Sequence, residues 1–278
     1  MIDGDMKRKM EIARNKVIDT IREHGGTTLL STGITGDDAR MAKAAVDGGA
    51  RMLEPNHPAV ALARGWKGVT SMHQAEEIRH EISVSEMARV TAGVRRVVGP
   101  DIYITVGISG GFTEVVPKLL STEDFRLMSE AGADGLHIHK SDLSDLQEIV
   151  AMAHRYGLLV DAYIGHSQDL HPFGIPADTA DEVAQVAQAM EKIGVDMIGL
   201  MTGMSYEGVA AGEIPEVIRE RLKALVETVS VPTLAEGGIN PQNFKAFADT
   251  GVNILVVGTT LDHLAYNSVK EAVKIFIP

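Results

Sequence analysis

A chain of 278 residues with 45% hydrophobic and 23% charged side chains has material for a large core. Its formal net charge of −12 supplies no basic stripe for a nucleic acid, and the lack of cysteine excludes disulfides and thiolate chemistry and fits a cytoplasmic protein. No segment approaches the roughly 20 apolar residues of a membrane span, and the opening MIDGDMKRKMEIARNK has no apolar run behind its positive charges, so no signal peptide is expected.

The first predicted element is an amphipathic helix over about Met6 to Glu23, with Met10, Ala13, Val17 and Ile21 on one face and Gly25-Gly26 at its end. A plug beneath the fold and a subunit contact are both open to it. Beyond it, short apolar runs alternate with amphipathic ones. Eight strands are expected: Thr27–Ile34, Arg51–Glu54, Ile102–Ile108, Gly135–Lys140, Leu158–Ile164, Met197–Met201, Thr233–Glu236 and Ile254–Gly258. They are mostly apolar on both faces, as strands buried between helices and a barrel centre must be. Asp37-Asp38 is placed to cap the helix running to Val46, and Ser121 with Asp124 resembles a capping box.

Four joints look alike: Asp47-Gly48-Gly49-Ala50, Ala131-Gly132-Ala133-Asp134, Ile193-Gly194-Val195-Asp196 and Thr250-Gly251-Val252-Asn253. Each ends a helical pattern and precedes a strand, and one stop device reused four times signals a repeated βα unit. The expected fold is a single (β/α)8 TIM barrel over residues 1–278, with an extra N-terminal capping helix in residues 1–25. The connection over residues 55–83 is unusually long and carries Trp66 with His57, His73 and His80. It reads as an ordered lid or interface segment.

The stretch PTLAEGGINPQNFKAFADTGVNILVVGTTL, from Pro232 to Leu261, has two neighbouring strands ending in Gly237-Gly238 and in Gly258-Thr259-Thr260. Such ends expose backbone N–H groups at one rim, and a following helix N-terminus adds partial positive charge. In an eightfold barrel this is where phosphate sits. The expected phosphate ligands are Gly237, Gly238, Gly258, Thr259 and Thr260, with Gly203 a third source of donors.

Ala131–His139, Tyr156–Gly165, Gly194–Gly203 and the terminal EGGI…VVGTTL resemble the ribulose-phosphate-binding barrel superfamily. The second half, roughly residues 120 to 262, is most similar to 3-hexulose-6-phosphate synthase and 3-keto-gulonate-6-phosphate decarboxylase. The resemblance implies a phosphate-binding barrel with pocket residues at Glu54, His139 and Asp161. It stops short of that family's chemistry. The Asp-x-Lys-x-x-Asp motif at the end of strand three is replaced by the uncharged TVGISGG, and Met201 stands where a histidine precedes Thr-Gly. Glu236 is similar to the glutamate of the AEG segment in N-acetylmannosamine-6-phosphate 2-epimerases, where it has an acid/base role.

Residues at carboxyl strand ends face a barrel's pocket, which makes the ionisable ones candidates. Glu54 closes strand two as a general base or metal ligand; the plainer alternative is a carboxylate bonded to its own loop. His137 and His139 lie two apart, hence on one face, and with Glu54 they offer a divalent ion such as magnesium a place, although no cofactor is required. Lys140 should face away, as a solvated lysine. Asp161 lies inside an apolar run and needs donors, and His166 opens a polar lip. Glu236, next to the glycines, is placed to move a proton α to a carbonyl.

The expected function is an enzyme that takes a small phosphorylated sugar or sugar acid through an enol or enediolate, as an isomerase, epimerase or C–C lyase. Glu236, His139 and Asp161 would share proton transfer, and Glu54 would orient substrate or metal. The alternatives are a phosphosugar-binding barrel without catalysis and an acidic assembly subunit. A homo-oligomer is expected, with no nucleic-acid or membrane partner.

Overall fold

The computed structural model describes residues 2–33, 36, 38–203 and 209–277. Ile34, the expected end of strand one, and Asp37, one of the two expected cap residues, lie outside these. Eight parallel strands close into a barrel: β1 (Thr28–Thr32), β2 (Met52–Glu54), β3 (Tyr103–Phe112), β4 (Gly135–His139), β5 (Leu159–Gly165), β7 (Met197–Met201), β8 (Thr233–Glu236) and β9 (Ile254–Val257). The ring is shut by the pairing of β9 with β1. A two-residue strand, β6 (Ile175–Pro176), pairs outside the ring with the end of β5. The structure is the (β/α)8 barrel that the sequence implied.

The helices are α1 (Gly4–Glu23), α2 (Ala39–Asp47), α3 (His57–Ala63), α4 (Met72–Ile78), α5 (Val84–Val98), α6 (Thr122–Glu130), α7 (Leu143–Arg155), α8 (Ala180–Lys192), α9 (Glu216–Thr228), α10 (Phe244–Ala248) and α11 (Thr259–Lys274). Their ends follow local chemistry. The Asp38 side chain accepts the Arg40 amide at 2.8 Å to start α2, and both bonds of the Ser121–Asp124 capping box are made. Gly49, Gly132, Gly194 and Gly251 all have positive φ, between 88° and 108°, where other residues are strained.

Helix α1 is the plug. Its Met10, Ala13 and Val17 pack against Leu30, Met52, Tyr103, Leu159, Met197 and Ile254, residues that point into the barrel near the amino ends of their strands. Burying each such side chain is worth about 1.5–3 kcal/mol. Two ion pairs pin it from the sides, Lys16–Asp134 at 2.8 Å and Arg14–Asp196 at 2.7 Å. With the amino end stoppered, the carboxyl end is left as the open face.

Two expectations change. Strand β3 does not stop at Ile108; after a bulge beyond Gly107 it runs on until Phe112 pairs with His139. The glycines of ISGG let the chain bend there without leaving the sheet, Gly110 at φ 94°. The 55–83 connection is not a loop but two short helices, α3 and α4, each followed by a single 3-10 turn. It folds over the open face.

Candidate active site

Strand alternation decides what enters the barrel. In β4 (GLHIH) the apolar Leu136 and Ile138 join the outer core against the helices, and His137 and His139 turn inward. The same period brings in Glu54, Asp161 and Glu236. Glu54, His137 and Asp161 have no solvent exposure, and His139 has 2%.

His137 is the hub. Its Nδ1 lies 2.6 Å from Asp161 Oδ2, and the other Asp161 oxygen accepts the Thr105 hydroxyl at 2.5 Å. Its Nε2 lies 2.6 Å from His139 Nε2 and 3.5 Å from both Glu54 Oε1 and Glu236 Oε2. Burial opposes charging His137, but Glu54, Asp161 and Glu236 outweigh it and raise its pKa to about 10. His139 goes the other way: burial and the positive charge on His137 push it well below 6.5. Glu54 is raised well above the usual carboxylate range by burial, against the pull of His137 and of a Thr32 hydrogen bond. Burial raises Glu236 as well, against the pull of His137.

Packing holds this arrangement. The His139 ring stacks between Phe112 and Tyr163, with centroids 4.4 and 4.5 Å away. Tyr163 in turn lies on bare backbone, because a Cβ at Gly199 would come within 2.3 Å of its ring. Arg79 sits over the far face of Phe112 at 4.7 Å, buried and ion-paired to Glu76, and donates to the Thr113 carbonyl at 2.9 Å. His57 of α3 reaches Glu114 at 3.2 Å, and Glu114 also accepts the Gly110 amide at 3.1 Å. These bonds fasten the 55–83 lid to the end of β3.

A cavity of about 570 Å³ lies above the cluster. Gly237, Gly238, Gly258, Thr259 and Thr260 form one wall, His139 and Glu236 another, and Asn56, Met72 and Glu76 of the lid region close the top. Among the described residues no lysine or arginine lines it. Gly237 and Gly238 have φ of 113° and 65°, and the side-chain amides of Asn240 and Asn243 hold the Gly238 carbonyl at 3.3 and 3.0 Å, turning it away. Helix α11 begins at this wall with no side chain capping it. Its first-turn amides are the donors that helix N-termini offer to anions.

Of the expected site residues, only His139, Glu236 and five of the six phosphate candidates face the cavity. Gly203 lies behind Gly237, its carbonyl 2.3 Å from where a Gly237 Cβ would be. The Thr260 hydroxyl is committed to the Ile239 carbonyl at 2.7 Å, leaving its amide for a ligand. Glu54, His137 and Asp161 sit beneath the floor, so they act on a ligand through their neighbours. Lys140 and His166 are off the cavity lining. Phe112, Arg79 and Glu114 were not anticipated, and His57 only as part of the lid segment. The sequence signal for them was a buried-type pairing of acids and bases in 55–83 and after ISGG, with no periodicity to connect the two.

The family model described as histidine biosynthesis protein matches residues 81–267. The imidazole glycerol phosphate synthase subunit HisF of Streptococcus gordonii is 28% identical over 194 residues, 65% of this chain and 70% of the relative. The thiamine-phosphate synthase of Ruminiclostridium cellulolyticum is 29% identical over 126 residues, 45% of this chain and half of its own length. Among solved structures, phosphonopyruvate hydrolase in complex with oxalate and magnesium superposes with a TM-score of 0.65 at 17% identity, covering 95% of this chain and 84% of that one. At that identity the likeness is one of fold. These matches support a phosphate-binding barrel superfamily, whereas the likeness to hexulose-phosphate synthases rests on the motif stretches alone.

Proposed function

The chain belongs to the histidine biosynthesis protein family, and on that footing we propose that it is an enzyme acting on a small phosphorylated sugar or sugar acid through an enol or enediolate. One observation carries the reading: a single cavity has the glycine and helix-start amides on one wall and Glu236 with His139 on another. A phosphate seated on the amides lays the rest of the ligand across to Glu236. A carboxylate with raised proton affinity is suited to take a proton from carbon and return it. The imidazolium of His137, beneath the floor, offsets charge developing on the enolate oxygen, with neutral His139 between them as the relay. The chain works in this reading as one domain over 1–278.

With His137 neutral in place of the imidazolium, the same groups suit a divalent ion. His137, His139 and Glu236 each offer one ligand atom, all within 4.8 Å of one another. The buried Glu54 carboxylate lies beside them, 3.5 Å from His137 Nε2, and Asp161 on Nδ1 of His137 keeps Nε2 turned inward, as metal-binding imidazoles require. Two imidazoles suit zinc or iron better than magnesium. A bound ion would polarise the substrate carbonyl.

Turnover of a panel of ketose and aldose phosphates tests the proposal. Glu236→Gln should lower kcat by about 10²–10⁴-fold and leave affinity for inorganic phosphate in place; unchanged turnover would remove Glu236 from the reaction. One observation favours a second reading, a phosphosugar-binding barrel without catalysis: Thr105 to Gly111 carries no charge where a related family keeps its motif. That reading predicts affinity without turnover, undiminished by Glu236→Gln or Glu54→Gln.

A further inference from the structure

In a (β/α)8 barrel the helix after the last strand belongs on the outer wall, covering that strand and β1. Here it does not. Strand β9 ends at Val257 and α11 begins at Thr259, so Gly258 alone connects them. Connections in α/β units usually take 2–6 residues to turn a helix back along the barrel. The first turn is tethered at the rim: the Thr260 hydroxyl bonds Ile239, and Asp262 lies against Gly33, where a Cβ would come within 2.9 Å of its carboxylate. From there the helix departs. None of its residues is buried, whereas each of the other α-helices buries at least one among the described residues.

What α11 exposes is apolar. Tyr266, Val269 and Val273 are 66%, 65% and 50% exposed, and Phe276, just beyond the helix, 85%. Their spacing of 3, 4 and 3 residues puts them on one face, and His263, Asn267, Lys270, Glu271 and Lys274 share the other. The wall the helix should cover is open as well. An apolar groove of about 580 Å³ runs over the outer faces of β1 and β9, lined by Leu29, Leu255 and Val257 with Phe244 and Ala248 of α10. The helix borders this groove only with Thr260, Leu261 and Leu264 of its first two turns, so one chain carries an uncovered helix face beyond them and a groove that its own helix leaves largely unfilled.

We propose that α11 of one chain fills the groove of a second copy, and the second copy returns its own helix, giving a two-fold dimer by helix exchange. The complementarity names the occupant: the groove lacks just the element that the same sequence leaves undocked. Reciprocity counts the contact twice, which brings one four-turn helix within reach of the roughly 1,600 Å² of a stable interface. A lipid surface is disfavoured, since Lys270 and Lys274 are balanced by Asp262 and Glu271 and give no net positive face. The exchange also bears on the cavity, because Thr259, Thr260 and His263 in the first turn of the same helix line it.

Sedimentation velocity at micromolar concentration tests the exchange independently of any turnover. The full chain should sediment as a dimer. Val269→Asp with Val273→Asp, at exposed positions whose replacement costs no packing within the chain, should raise the dimer dissociation constant at least 100-fold with an unchanged circular dichroism spectrum. Phe244→Asp, in the groove, should do the same from the other side. A monomeric full chain overturns the proposal, as does a groove variant that stays dimeric while the helix variant dissociates, since the helices would then be pairing with each other.

Discussion

Asp161→Asn probes the hub of the site directly. A His137 pKa of about 10 against an ordinary 6.5 corresponds to roughly 5 kcal/mol of preference for the charged ring, shared among three carboxylates. Asp161 is the one that bonds it, at 2.6 Å. Asparagine can keep its oxygen on Nδ1 and turn its amide toward Thr105, so the tautomer survives and the charge is lost. A hydrogen bond to a charged group is worth about 1.5–3 kcal/mol, so the variant should lose about that much stability at pH 7, and the ring should titrate about one to two pH units lower. The sign follows from a raised pKa. The imidazolium's contribution is complete below 6.5 and disappears as pH climbs through about 10, so wild type and variant should converge in stability on the alkaline side. Two-dimensional NMR of the imidazole nitrogens reads the titration, and denaturant unfolding at several pH values reads the stability. A wild-type His137 that titrates near 6.5, or a variant with an unmoved titration, would refute the account of the cluster.

Gly199→Ala should destabilise the barrel by about 1–3 kcal/mol through overpacking, because its methyl lands 2.3 Å from the Tyr163 ring; an unchanged melting midpoint would contradict that contact. Gly237→Ala places a Cβ 2.3 Å from the Gly203 carbonyl at φ 113°, so calorimetric affinity for inorganic phosphate should fall at least tenfold in a still-folded protein. Arg79→Met removes the guanidinium that lies over Phe112 and strands Glu76 without its cation, and removing one partner of a buried pair costs about 3–5 kcal/mol. Limited proteolysis should then cut within 55–83 faster than in wild type.

Much of the barrel was legible because its signals are local. A glycine that stops a helix and a short apolar run that follows need nothing distant to be read. Met197–Met201 and Thr233–Glu236 begin and end where the sequence places them. The inward acids and bases were legible for a related reason: Asp161, His137 and His139 stand out in runs that are otherwise apolar. Their depth was not. Whether a strand-end carboxylate reaches the cavity or stops beneath its floor depends on barrel stagger, which sets Glu54 lower than Glu236. The 55–83 segment was legible as a lid or interface, but its helices were not, because α3 and α4 are seven residues each, too short for a helical period to emerge. Phe112 escaped because the bulge after Gly107 shifts its register against β4. The departure of α11 was hidden as well, since its apolar stripe reads the same whether it covers its own barrel or another.

The anion seat is built from main chain, and that separates two inheritances in one fold. Side-chain replacement can retool the reagents at Glu236 and His139 yet leave the amide donors standing, since every residue but proline carries one. Only a change of backbone course, such as a methyl forced between Gly237 and Gly203, takes the holder apart. A scaffold of this kind can exchange one transformation for another and still grip its cargo by the same handle.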